Sequence, residues 1–128
     1  MQQRPVTLRH PVLWLVPGLI WCLWLIYASL IPVPGGADLP PDKLLHITAY
    51  AVLVYLIGCA LRPGCFPLLL VVAVALGMVL EYLQGLTVYR SFEWADGWAN
   101  MLGAAVGILL LLSPAGRLYQ RIESWRYE

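Results

Sequence analysis

At 128 residues, with 61% hydrophobic side chains, 12% charged ones and a formal net charge of +1, the chain lies outside the composition of soluble globular domains. Without a basic surplus, nucleic acid is not an expected partner. Cys22, Cys59 and Cys65 have neither the CxxC spacing of a zinc site nor the density of a disulfide framework, and they read as packing residues.

The first apolar segment, at about 12–33, follows Arg4, Arg9 and His10 and is too long for the core of a signal peptide. It reads as an uncleaved anchor, with Pro17 either kinking it or standing in its first turns. Residues 34–43, rich in Pro and Gly, form a loop that ends where Asp42 can cap the next helix. Further apolar segments at about 44–61, 66–87 and 97–113 are each near the ~20 residues that cross a ~30 Å hydrocarbon layer. The loop 88–96 carries Tyr89, Phe92 and Trp94 among charges, a composition suited to the headgroup layer. After Ser113-Pro114, Leu118, Ile122 and Trp125 recur at i, i+4 and i+7 beside Arg117, Arg121 and Arg126, which predicts an interfacial helix over about 115–128. The expectation is an all-α integral membrane protein, one domain over 1–128, with four transmembrane helices and a short amphipathic tail.

An even number of spans puts both termini on one side, together with Arg4, Arg9, Arg62, Arg117, Arg121 and Arg126. Only Lys43 and Arg90 are basic on the other side. The positive-inside rule makes the arginine-rich side cytoplasmic and turns the loops 34–43 and 88–96 outward.

Against this oily background a set of polar residues stands out, because an ionisable group in the hydrocarbon layer costs several kcal/mol unless it is paired or wetted. Asp42, His46 and Tyr50 follow at i, i+4 and i+8 on the second helix. Gly77, Glu81 and Gln84 share a face of the third, and Asp96, Asn100, Gly103 and Gly107 a face of the fourth. The second and fourth helices begin at the outer surface and the third ends there, so these groups, with Lys43 and Arg90, are expected to converge in one outward polar pocket.

Each has a plainer reading. Gly77, Gly103 and Gly107 fit close helix packing, Asn100 and Gln84 interhelical hydrogen bonding, and Asp42 and Asp96 helix capping. His46, Glu81 and Asp96 are the candidates for acid–base chemistry. Asp42, His46, Glu81 and Asp96 could also hold a divalent cation, but no local ligand spacing argues for one, and neither a metal nor another cofactor is expected.

The ordered set Asp42-Lys43-Leu44-Leu45-His46-x-x-Ala49-Tyr50, Glu81-x-x-Gln84, Arg90 and Asp96-x-x-x-Asn100-x-x-Gly103-x-x-x-Gly107 resembles the VanZ-like family of small bacterial membrane proteins. The resemblance runs from about residue 25 to 107 and includes Ser29-Leu30-Ile31-Pro32; Ile47 stands where the family often has Phe. The family is named for a protein associated with low-level teicoplanin resistance, and its members are generally of unknown activity. The resemblance therefore implies a place, the bacterial cytoplasmic membrane and its envelope side, more than a reaction.

Three functions compete on these grounds. In the leading one, the pocket of Asp42, Lys43, His46, Tyr50, Glu81, Gln84, Arg90, Asp96 and Asn100 engages a membrane lipid or a lipid-linked envelope precursor. The others are an enzyme on an envelope substrate, unsupported by any HExxH or GxSxG motif, and a proton-coupled carrier, which four spans permit only as a homo-oligomer.

Overall fold

In a computed structural model, which describes residues 8–32 and 42–126 with the side chain of Asp42 left out, the chain is all helical; no strand occurs among the described residues. The helices are α1 (Pro11–Trp14), α2 (Val16–Leu30), α3 (Asp42–Gly58), α4 (Phe66–Gly85), α5 (Trp94–Leu112) and α6 (Leu118–Arg126). Three stretches are long and apolar enough to cross a membrane, namely Pro11–Leu30, Pro63–Gly85 and Trp94–Leu112, while Lys43–Gly58 is apolar but shorter. The molecule is a membrane protein by these segments.

Local chemistry sets the helix ends. Pro17 stands in the first turn of α2, where its missing N–H removes no intrahelical bond, and α1 precedes it as a separate turn across Leu15. The sequence left open whether Pro17 kinks a helix or starts one; it starts one. α2 ends at Leu30, short of the expected 33, because Pro32 disfavours helical geometry in the residue before it. Likewise α3 ends before Arg62-Pro63 and α5 before Ser113-Pro114. The Pro/Gly-rich loop, and with it the capping expected of Asp42, lies outside the described residues and side chains.

α3 packs most extensively against α5. A Cβ on Gly103 would run into the backbone carbonyl of Ile47, and one on Gly107 would stand 2.8 Å from the Ala51 carbonyl oxygen. The two glycines therefore let the α5 backbone rest on that of α3, with Ala99 and Ala104 buried in the same seam. Gly77 plays a similar part on α4, close to Asn100 and Tyr50. Outward, Leu19, Leu23, Leu68, Val71, Val72, Leu102 and Leu109 are exposed, as expected where lipid replaces water.

The tail is held by polar contacts that its apolar stripe does not reveal. Leu118, Ile122 and Trp125 stay exposed, whereas Tyr119 is buried, stacks on Trp14 at 4.5 Å and donates to the Leu56 carbonyl at 3.0 Å. Burial, and then Cys59 and Tyr55 beside it, push the Tyr119 hydroxyl up to about 12, so it remains a donor at neutral pH. Glu123 accepts from the Trp14 indole at 2.6 Å and from the Arg9 amide at 3.1 Å.

Partial burial pulls the Glu123 carboxyl upward, but these donors and His10 outweigh it and hold it below the ordinary value of 4.5. A carboxyl with a lowered folded pKa contributes docking strength above 4.5 and loses it as pH falls through the lowered value. Limited proteolysis after Arg121 and Arg126 should therefore stay slow from pH 7 to about 4.5 and accelerate below it, while Glu123→Gln should be cleaved faster at pH 7 and show a flatter profile.

Candidate functional site

The end of the bundle where α3 and α5 begin and α4 ends is polar, and its ionisable groups come from three helices. α3 supplies Lys43 and His46, α4 supplies Glu81 and Gln84, and α5 supplies Asp96 and Asn100. Glu81 is 1% exposed, Asp96 5%, Asn100 3% and Gln84 4%, so four polar side chains are sequestered beside an apolar core. Carboxylates in such surroundings are costly unless other groups compensate their charge.

The geometry shows how they are held. The His46 imidazole bonds through Nδ1 to Asn100 Oδ1 at 2.8 Å, and its Nε2 stands 3.6 Å from Asp96 Oδ2. The Lys43 ammonium, itself half exposed, bridges Asp96 at 3.6 Å and Glu93 at 3.7 Å. Glu81 Oε1 accepts from the backbone N–H of Glu93 at 2.9 Å, which ties α4 to the start of α5. One ligand atom each of His46, Glu81 and Asp96 falls within 4.8 Å of the others.

Asp96 is not the cap of its helix. α5 begins at Trp94 with Glu93 in the capping position, and Asp96 lies in the first turn, buried in the bundle. The sequence placed this start near residue 97, with Trp94 in the outer loop; Trp94 instead opens the helix, and its side chain, like that of Trp98, is exposed.

Gln84, a site residue, and Tyr89 act as interhelical clamps. Gln84 donates to the Ser29 carbonyl at 2.9 Å, and Tyr89 donates to the Leu30 carbonyl at 2.6 Å, so the last turn of α2 is tied to the end of α4 and the turn after it. Those carbonyls belong to the α2 C-terminus, where no intrahelical donor remains. Trp21 donates to the Ala49 carbonyl at 3.0 Å and pins α2 to α3 from the other side.

Between these clamps a groove of about 290 Å³ opens along α2 and α3. Trp21, Trp24, Leu25 and Ala28 form an apolar wall, and His46, Gln84 and half-buried Arg90 give it a polar end, with the buried Tyr50 beneath. His46 belongs to both the groove and the carboxylate cluster. Lys43, His46, Glu81, Asp96 and Asn100 thus gather in one cluster, while Arg90, Gln84 and Tyr50 line the groove that His46 also lines; the Asp42 side chain is outside the described set.

Sequence reasoning missed Glu93 as the anchor of both Glu81 and Lys43, and missed the α2 carbonyls as partners. Backbone donors and acceptors carry no side-chain signal, although the Ser29-Leu30-Ile31-Pro32 ending marked the place where free carbonyls would gather.

Comparison with known proteins gives the chain a family. The VanZ/LLP1 family model matches residues 12–115, and the chain belongs to that family. It is 28% identical, over 113 residues, to an uncharacterized protein of the fission yeast Schizosaccharomyces pombe, covering 85% of this chain and 67% of that one. That relative is eukaryotic, so similarity by itself does not place the chain in a bacterial membrane. No solved structure matches the chain.

Proposed function

We propose, with membership in the VanZ/LLP1 family as the premise, that the protein is a four-span membrane protein that binds an anionic lipid or lipid-linked molecule at its polar end. Lys43–Gly58, flanked by Lys43 and Pro63, serves as the fourth span with local thinning of the bilayer. The arginine-rich end, with Arg9, Arg62, Arg117, Arg121 and Arg126, faces the cytoplasm of a bacterial cell, and the polar end faces the envelope.

The observation that carries the reading is the groove. Its apolar wall of Trp21, Trp24, Leu25 and Ala28 is suited to an acyl or prenyl chain, and its polar end sets a guanidinium, an imidazole and an amide where a headgroup would lie. Arg90 is the phosphate partner, since charged hydrogen bonds of this kind contribute about 1.5–3 kcal/mol. Holding such a molecule would change how envelope precursors are presented, which is the link to teicoplanin susceptibility.

Native mass spectrometry of the protein released from micelles with anionic and zwitterionic phospholipids tests the reading. Retention of anionic lipid is expected, with Arg90→Ala weakening it roughly 10- to 100-fold, the range that loss of one such bond implies. Equal retention of both lipids, unchanged in Arg90→Ala, would sink it.

A further inference from the structure

We propose that His46, Glu81 and Asp96 form a binding site for one divalent transition-metal ion of the zinc class. The inference goes beyond lipid binding and does not depend on it.

Three independent features point there. First, the ligand atoms converge from three different helices to within 4.8 Å of one another. Ligands bound to one ion at about 2.0–2.2 Å stand about 3–4 Å apart. The 3.6 Å between His46 Nε2 and Asp96 Oδ2 is too long for a good hydrogen bond and falls in that range.

Second, the ligands are oriented by the groups around them as metal ligands are. His46 Nδ1 is anchored on Asn100 Oδ1 at 2.8 Å, which fixes the ring with Nε2 facing Asp96 Oδ2 at 3.6 Å, the orientation a ligating imidazole needs. Glu81 is fixed through Oε1 by the Glu93 amide, and Asp96 is flanked by the Lys43 ammonium. None of these positions depends on a flexible loop side chain.

Third, the charge balance favours a cation. Two carboxylates are 1% and 5% exposed and share a site, and the nearest ammonium, on Lys43, is half exposed and divided between Asp96 and Glu93. A divalent ion between the carboxylates replaces their mutual repulsion with two attractions in a low-dielectric setting.

One nitrogen and two carboxylate oxygens fit zinc or manganese better than magnesium or calcium, which favour oxygen alone. Three protein ligands leave a coordination position open, and the imidazole that lines the groove puts the site next to it. No single helix carries two of the ligands, which is why local spacing in the sequence gave no sign of the site.

Equilibrium binding of Zn²⁺ and Mg²⁺ to chelator-treated protein in lipid-free detergent is the test, with metal content counted per chain. One Zn²⁺ per chain is expected, Mg²⁺ failing to compete, with a rise in melting temperature of several degrees in excess Zn²⁺. The shape-conserving Asp96→Asn and Glu81→Gln should each lose at least tenfold in affinity. Asn100→Ala should lose about tenfold by freeing the imidazole, whereas His10→Ala should bind as wild type.

Because a variant can fail by misfolding, the wild-type protein loaded with Co²⁺ supplies a second readout. Visible d–d bands without a near-ultraviolet thiolate band support a nitrogen and oxygen site. A strong thiolate band would move the metal to the cysteines and overturn the proposal, as would absence of saturable Zn²⁺ binding by folded wild type or unchanged affinity in both carboxylate variants.

Discussion

Replacing Gly103 with valine is expected to prevent the bundle from assembling. A side chain at this position would have to enter the space of the Ile47 backbone carbonyl, and a backbone atom inside a helix cannot move aside as the tip of a flexible side chain can. Relief requires α5 to lift away from α3, which would open the most extensive interface in the molecule. Overpacking of a well-fitted core costs about 1–3 kcal/mol where side chains can adjust, and a backbone collision exceeds that range.

The damage reaches the site as well, because Asn100 stands three residues before Gly103 on α5, and its bond to His46 needs the close approach that Gly103 permits. Gly103→Val should therefore elute as aggregate or melt at least 10 °C below wild type, and Gly103→Ala, whose Cβ already meets the Ile47 carbonyl, should also lose more than about 3 kcal/mol, though less than the valine variant. Ala105→Val, on the exposed face of the same helix, is the control and should be nearly neutral. Equal behaviour of the valine variants at 103 and 105 would mean that the seam is not as close as described.

The second large effect has the opposite sign. Glu81→Gln is expected to leave the metal-free protein as stable as wild type or more stable, by about 1–3 kcal/mol at neutral pH, while disabling the site. The glutamine keeps an oxygen in the place where Glu81 accepts from the Glu93 amide, so the tie between α4 and α5 persists. What disappears is one of two buried carboxyl groups that share a site with an imidazole and a half-exposed lysine. Groups kept at a cost to stability are kept for function, and their neutral replacements stabilise.

If the polar stripes were only packing glue, Glu81→Gln would weaken the fold and leave nothing else to lose. Thermal melting with chelator present, compared with Zn²⁺ and lipid binding, separates the two cases. A clear fall in melting temperature with binding intact would favour glue.

Much of the site was legible because helical spacing is a property of the sequence. Asp42, His46 and Tyr50 define a face of α3, and Asp96, Asn100, Gly103 and Gly107 a face of α5, whatever the bundle around them does. Their gathering at one end of the bundle was legible too, since α3 and α5 begin where α4 ends. The partners were not. That His46 meets Asn100 across 54 positions, or that Glu81 rests on the amide of Glu93, follows from helix rotation and loop path.

The tail illustrates the same limit from the other side. Its apolar stripe of Leu118, Ile122 and Trp125 was visible, but the docking contacts come from Tyr119 and Glu123 on other faces, paired with Trp14 more than a hundred positions away from Glu123. Capping was left open at Asp96 because an acidic residue near a helix start has two uses, one as a cap and one in the first turn facing inward, and the second holds. Only the position of Trp94 and Glu93 in the folded chain decides between them.

The central claim is that the polar end receives an anionic headgroup in the groove of His46, Gln84 and Arg90. A crystal structure grown from a lipid mesophase doped with anionic phospholipid tests it most directly. The account predicts phosphate density within hydrogen-bond reach of Arg90, with an acyl chain along Trp21 and Trp24. A groove closed by its own side chains, or filled by an acyl chain with no headgroup near Arg90, would contradict it.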